Sequence, residues 1–196
     1  VDLDPELVFY HCLAKKLVLP SEQNILNANI IFINGSSGSG KTTLSSKIAS
    51  HILDNKFVGN ERHKLSIIDF APKSSNHSEL MNFGRLLNLN VSSISTLEEI
   101  KKFIEANKND RKLIIDVSQE NKHILGYTEY LKELCANEKF VNILALQSGN
   151  NKISMKSQLE FYKESDPIIG LTKLDESYVG PEELSILGEL NCKIGM

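Results

Sequence analysis

A glycine-rich segment of the chain carries residue types at a spacing that can hold a row of phosphates: Gly35-Ser36-Ser37-Gly38-Ser39-Gly40-Lys41-Thr42-Thr43. Its three glycines lack a Cβ, so the backbone can take positive φ and turn successive N–H groups towards an oxyanion. Lys41 is placed to reach β and γ phosphates, and the Thr42 hydroxyl to ligate Mg2+. The following helix adds the positive end of its dipole. The segment therefore predicts a phosphate-binding loop.

The residues on both sides of this loop have the pattern that such a loop requires. Asn29–Ile33 is a short apolar run of the buried-strand type, and Leu44, Ile48 and Ile52 recur at helical spacing after the loop. The alternative interpretation is a glycine- and serine-rich turn without a ligand. The strand before the loop and the helix after it favour the phosphate-binding interpretation.

Length and composition limit the classes of protein to consider. The chain has 196 residues, of which 41% are hydrophobic and 24% charged, which suits one α/β domain with a substantial core. The net charge of -3 shows no basic excess, so direct nucleic-acid binding is not indicated. No apolar run approaches the roughly 20 residues of a membrane span. We expect a soluble cytoplasmic protein and, because its first residue is Val, a fragment of a longer product.

Cysteine and histidine give no sign of a metal site. Cys12, Cys135 and Cys192 are far apart and lack ligand-type spacing, as expected for free thiols in a reducing compartment. The five histidines are scattered, and we interpret them as surface or partly packed residues.

Strand and helix patterns alternate along the chain. Pro5 begins a predicted helix that runs to about Leu17, with Leu7, Tyr10, Leu13 and Leu17 on one stripe. Beyond the glycine-rich loop the pattern predicts helices at 41–54, 77–88, 96–107, 122–137, 153–163 and 181–189, and strands at 64–69, near Val91, and at 112–116, 140–147, 167–172 and 191–195. This alternation predicts an α/β fold, a mostly parallel sheet with helices on both faces and ligands at the carboxyl ends of the strands.

Two predicted apolar strands end in aspartate, at Asp69 and Asp116. Either carboxylate could hold Mg2+ through water at the ligand edge of the sheet. A strand-end aspartate is also common as a turn residue or helix N-cap, so both interpretations stay open.

A third strand end carries the tetrapeptide Thr172-Lys173-Leu174-Asp175. A carboxylate at Asp175 can accept hydrogen bonds from N1–H and the exocyclic amine of guanine, while the stem of Lys173 lies over the base plane. Adenine lacks this donor pair, so such a site would leave buried polar groups unpaired with the wrong base. Following a phosphate-binding loop, the tetrapeptide predicts a guanine site.

With these motifs in order, the chain resembles the signal recognition particle family of GTPases, which are P-loop NTPases. Gly35–Thr43 matches the family's GxxGxGKTT, and Thr172–Asp175 matches its TKxD. Asp69 stands at the aspartate of the family's DTxR, and Asp116 at that of its DTAGR. The likeness covers most of residues 26–195, and within the family it is greatest to the GTPases that place bacterial flagella.

The resemblance implies GTP or GDP with Mg2+ as ligands, with Asp69, Asp116 and Lys73 in catalytic positions and with Thr42 and Asp116 at the metal. It implies a switch that pairs with itself or with a related GTPase, in targeting or flagellar placement. It also implies recruitment to the inner face of the membrane or to the cell pole, through regions missing from the chain. Residues 1–25 would be a remnant of the family's helical N domain, and residues 26–196 its GTPase domain.

Two motifs depart from the family pattern. The third reads Asp-Val-Ser-Gln-Glu from Asp116, so Gln119 replaces the glycine that approaches the γ-phosphate and Glu120 replaces the arginine. In the second, Lys73 stands where the family has arginine, and Pro72 removes a backbone donor. Lost donors near the γ-phosphate slow phosphoryl transfer. We therefore expect nucleotide binding to be intact and hydrolysis to be weakened.

Three functions stay open on the sequence. The first is a GTPase switch of the signal recognition particle type. The second is a non-hydrolysing nucleotide-binding scaffold, which the altered motifs favour. The third is a small-molecule kinase on the same loop, against which Thr172–Asp175 argues. Gln119 could orient a water in the first of these, although an ordinary polar loop residue is the simpler interpretation.

Overall fold

The computed structural model describes residues 4–19, 25–56, 64–71, 78–106, 111–117, 124–136 and 138–195. Within these ranges the strands are β1 (Ile30–Asn34), β2 (Leu65–Phe70), β3 (Asn90–Ile94), β4 (Lys112–Val117), β5 (Phe140–Gln147), β6 (Ile168–Thr172) and β7 (Lys193–Ile194). The helices are α1 (Pro5–Leu17), α2 (Lys41–Lys56), α3 (Ser78–Leu87), α4 (Leu97–Ala106), α5 (Ile124–Leu134), α6 (Lys152–Tyr162) and α7 (Pro181–Glu189).

The strands form one sheet in the order β3-β2-β4-β1-β5-β6-β7, and every neighbouring pair is parallel. Parallel strands need crossover connections, and helices supply them here. The predicted α/β class is confirmed. Because all strands run the same way, the carboxyl ends of β1, β2, β4, β5 and β6 lie at one edge of the sheet.

Each face of the sheet has its own core, because successive side chains of a strand point to opposite faces. On one face Ile31 and Ile33 of β1 pack with α2 and α3 residues such as Ile52. On the other, Ile30 and Phe32 pack in a cluster to which α1 and α4 to α7 contribute. Covering both faces explains why the central strands read as continuous apolar runs.

Helix α1 confirms the predicted N-terminal helix, but only half of its predicted apolar stripe is packed. Leu17 is buried and Leu13 packs beside it, whereas Leu7 and Tyr10 are 66% and 57% exposed. After the helix the chain joins the sheet edge, where the Leu19 N–H donates to the Ile194 carbonyl at 2.9 Å. The N-terminal segment is therefore attached to the last strand.

Element boundaries lie within a few residues of the predicted ones. Helix α2 runs two residues beyond its predicted end at 54, and the Asn55 side-chain amide donates to the His51 carbonyl at 2.8 Å in that last turn. No helix in the described ranges is long and apolar enough to cross a membrane.

Candidate functional site

The glycine-rich loop lies between the carboxyl end of β1 and the start of α2, as predicted. Gly35, Gly38 and Gly40 all have positive φ, at 144°, 73° and 81°. A Cβ at Gly35 would lie 2.6 Å from the Ala145 carbonyl oxygen of β5. A side chain there would force the loop off the sheet, so the glycine is required by close approach as well as by φ.

Lys41, the first residue of α2, folds its side chain back over the loop. Its ammonium donates to the carbonyl oxygens of Gly35 at 3.0 Å and of Ser36 at 2.7 Å. The residue is buried, so this charge is held in the concavity of the loop and not in bulk solvent. Phosphate oxygens entering the loop would meet a cation already in place.

The two strand-end aspartates lie next to each other. Asp69 of β2 and Asp116 of β4 are register partners, and Asp116 is also the register partner of Ile33 at the end of β1. Both side chains are on the face that α2 covers, because they alternate with residues of the other face. They are almost fully buried, at 2% and 0% exposed. The aspartates of the second and third motifs therefore lie side by side, next to the strand that leads into the phosphate loop.

Asp116 has the electrostatics expected of a cation ligand. Burial raises the pKa of its carboxyl to about 6; the Thr42 hydroxyl lowers it, the Asp69 carboxylate raises it and the Lys41 ammonium lowers it. Although Thr42 is close enough to have this effect, neither carboxylate oxygen has a hydrogen bond of ordinary geometry among the described residues. An unpaired buried carboxylate is costly, and a divalent cation removes that cost.

These residues fit Mg2+. Magnesium takes oxygen ligands and is usually held by one or two protein groups together with water and substrate phosphates. Thr42 and Asp116 supply such oxygens at the loop. The described residues contain no cluster of three or more His, Cys, Asp or Glu that could hold a metal by itself.

The base loop, residues 172–177, is joined directly to the phosphate loop. The Thr172 hydroxyl donates to the Ser39 carbonyl at 2.6 Å. A cavity of about 630 Å³ opens between the two loops, lined by Gly40, Thr43, Leu44, Lys47 and residues 171–176. Asp175 is exposed at its rim, and the Lys173 ammonium lies 4.0 Å from a Glu176 carboxylate oxygen. The two loops therefore line one cavity and are held together by a direct hydrogen bond.

Sequence reasoning missed two residues of this site, Ser148 and Glu183. Ser148 follows β5 and contacts the base loop, while Glu183 in the first turn of α7 accepts from the Gly149 and Gly180 N–H groups. Two signals could have revealed them. Ser148-Gly149 is a further strand end at the ligand edge, and a glutamate three residues after a turn glycine has the spacing of a capping box.

The remaining residues that the sequence analysis discussed are either outside the described ranges or show no sign of a catalytic role. Lys73, Pro72, Gln119 and Glu120 lie outside the described residues. Burial raises the pKa of Cys135 to about 11, with Glu138 adding to the rise, so this thiol stays protonated at neutral pH. His51 is exposed, as expected of a surface histidine.

Comparison with known proteins gives one consistent picture. No family model matches the chain. The signal recognition particle 54 kDa protein of Methanococcus vannielii is 27% identical over 174 residues, covering 85% of this chain and 38% of the relative. Its counterpart in Methanococcus maripaludis is 28% identical with the same coverage. The chain thus spans well under half of the curated relatives that it matches.

Solved structures agree in fold. FlhF complexed with GTP and Mg2+ superposes with a TM-score of 0.76 at 22% identity, covering 98% of this chain and 75% of that one. FtsY of Thermotoga maritima gives 0.66 at 20% identity, covering 94% and 66%. In sequence the chain is therefore similar to signal recognition particle 54 kDa proteins, and in fold it is similar to FlhF and FtsY.

Proposed function

We propose that this protein binds GTP with Mg2+ and works as a GTPase switch. The observation that carries the proposal is the hydrogen bond from the Thr172 hydroxyl to the Ser39 carbonyl, which fixes the base loop against the phosphate loop. A nucleotide that occupies both loops needs a base that matches Asp175. Guanine offers that carboxylate two adjacent donors, and adenine does not.

Each residue has a distinct task in this proposal. The loop N–H groups and Lys41 bind the phosphates, while Lys173 and Asp175 select the base. Thr42 and Asp116 would hold Mg2+, which neutralises charge on the β and γ phosphates. Asp69, the register partner of Asp116, keeps a second carboxylate at the γ-phosphate side for positioning water. Lys73 stands at the arginine position of the family's second motif, and in this proposal it would supply a cation for the γ-phosphate.

The similarities support a role in targeting or flagellar placement. FlhF has been solved with GTP and Mg2+, and the sequence relatives are signal recognition particle proteins. We propose that the GTP-bound chain pairs with a second copy or with a related GTPase. We further propose that it works in the cytoplasm and is recruited to the inner face of the membrane or the cell pole, and that residues 1–25 correspond to part of an N domain.

A second candidate function is a nucleotide-binding scaffold without hydrolysis. It is favoured by one observation on the sequence: the residues that depart from the family pattern, Lys73, Gln119 and Glu120, fall in the two motifs that the resemblance assigns to the γ-phosphate. Both candidates require guanine binding, and only turnover separates them. Phosphate release that stays at background over multiple turnovers, alone and with related GTPases added, would favour the scaffold.

Thermal denaturation with GDP, GTP, ADP and ATP in the presence of Mg2+ tests the shared part of the proposal. A ligand at about 100 times its dissociation constant stabilises the folded state by roughly 2.7 kcal/mol. Guanine nucleotides should raise the melting temperature and adenine nucleotides should have little effect. A larger shift with adenine nucleotides would contradict the assignment of the base site.

A further inference from the structure

Ser148, which lies outside all the recognised motifs, contacts both ends of the base loop. Its N–H donates to the Thr172 carbonyl at 3.0 Å. Its hydroxyl lies 3.1 Å from the Thr172 and Lys173 carbonyl oxygens, 3.2 Å from that of Ser177 and 2.8 Å from the Ser177 hydroxyl. The single hydroxyl proton of Ser148 serves one acceptor at a time, and either hydroxyl of the Ser148–Ser177 pair can be the donor between them.

Glu183 holds the neighbouring backbone from the other side. The side chain is 8% exposed. One carboxylate oxygen accepts from the Gly149 N–H at 2.9 Å and the other from the Gly180 N–H at 2.7 Å. The end of β5 and the start of α7 are thereby fixed to each other, and the base loop lies between them in sequence and contacts Ser148.

The base loop depends on such contacts because part of its backbone is strained. Lys173 has φ of 55°, a left-handed conformation that costs roughly 1 kcal/mol or more for a residue with a side chain. Asp175 is exposed, so no packing of its side chain sets its position. The carboxylate that reads the base is therefore placed by the backbone of its loop.

We propose that Ser148 and Glu183 are positioning residues for base specificity, which hold the loop so that Asp175 meets the guanine edge. This inference rests on the proposed guanine site and adds two residues to it. The hydrogen bonds of both side chains go to the base loop, Gly149 and Gly180 and not to the phosphate loop, so their loss should affect recognition of the base and not of the phosphates. A displacement of about 1 Å is enough to cost a large factor in a directional interaction.

The test compares GDP with IDP, whose base lacks the exocyclic amine that would donate a hydrogen bond to Asp175. Titration calorimetry gives the ratio of the two affinities for the wild type, Ser148→Ala, Glu183→Gln and Asp175→Asn. Ser185→Ala is the matched control, since its hydroxyl donates to the Pro181 carbonyl on an exposed part of α7. Mg2+-pyrophosphate reports phosphate binding alone.

We expect Ser148→Ala and Glu183→Gln each to lower the preference for GDP over IDP by about tenfold, with pyrophosphate affinity unchanged and Ser185→Ala like the wild type. Glu183→Gln keeps size and shape, so it guards against a variant that simply fails to fold. If both variants are less stable but keep the wild-type ratio, their role is structural and the inference is wrong. If the wild type itself shows no preference and Asp175→Asn changes nothing, the guanine site is what fails.

Discussion

The two sides of the proposed nucleotide site, the base side and the γ-phosphate side, differ in how their polar groups are paired. On the base side the polar groups are paired within the protein: Thr172 donates to Ser39, and Glu183 accepts from two backbone N–H groups. On the γ-phosphate side the Asp116 carboxylate is buried with no hydrogen bond of ordinary geometry among the described residues. The base side is preorganised without ligand, whereas the γ-phosphate side holds charge that a cation would compensate.

The sequence differs between the two sides in the same sense. Gly35–Thr43 and Thr172–Asp175 match the family motifs, while the residues after Asp69 and Asp116 depart from them. Binding a nucleotide uses the base side and the phosphate loop; hydrolysis also needs charge stabilisation at the γ-phosphate. The contrast predicts a protein that binds GTP well and turns it over slowly.

The largest expected effect comes from Lys41 of the phosphate loop, which every nucleotide would contact whatever its base. Lys41→Ala should lower the affinity for guanine and adenine nucleotides alike, by about 100-fold, because charge-assisted hydrogen bonds contribute roughly 1.5–3 kcal/mol each. Fluorescence titration with labelled GDP measures the loss. Lys102→Ala, on the exposed surface of α4, is the control and should bind normally. Tight binding by Lys41→Ala would show that the loop backbone suffices.

Asp175→Asn should change the base side alone. We expect guanine affinity to fall by roughly 10- to 100-fold, since one of the two carboxylate oxygens that accept from guanine is replaced by an amide donor. The asparagine amide presents one donor and one acceptor, which match the 2-carbonyl and N1–H of xanthine, so XDP should gain affinity. Competition assays with GDP, XDP and pyrophosphate measure this. Glu189→Gln on the surface is the control and should bind like the wild type. A GDP preference that is unchanged in Asp175→Asn would contradict the role of Asp175.

The features that the sequence could predict are the ones that local patterns determine, and those that depend on contacts between distant residues were missed. Apolar strands such as Ile30–Ile33 and the glycines of the phosphate loop are local signals, so the α/β class and the loop were predictable. Strand order was not, because it depends on pairing between distant residues. Ser148 and Glu183 were missed because their sequence signals, a strand-end serine and a glutamate at capping-box spacing, are common, and only the contacts in the structure distinguish these two residues from others like them. Leu7 was expected on a packed stripe, but periodicity does not say how much of a stripe a neighbour covers.

Restoring the family's third motif tests the γ-phosphate side by gain of function. The double substitution Gln119→Gly with Glu120→Arg should raise multiple-turnover GTP hydrolysis by about tenfold, since a donor and a cation return near the γ-phosphate. GDP affinity should stay the same. Phosphate release at saturating GTP measures the rate, with Lys73→Arg as an independent change on the same side. A rate that does not rise while binding is intact would mean that other residues limit hydrolysis.

The smallest expected effect on stability is that of Asp116→Asn, which should stabilise the fold while removing the effect of Mg2+ on GTP binding. Asp116→Asn replaces a buried carboxylate, which has no hydrogen bond of ordinary geometry and whose pKa is raised by burial, by a neutral amide, so the metal-free protein should gain about 1 kcal/mol of unfolding free energy at pH 7.5. Urea denaturation in EDTA measures this gain, and Mg2+ should no longer enhance GTP binding. Asp54→Asn on the exposed surface of α2 should change neither quantity. A destabilised Asp116→Asn protein would mean that the carboxylate is well compensated in the free protein, and the two sides would then be alike.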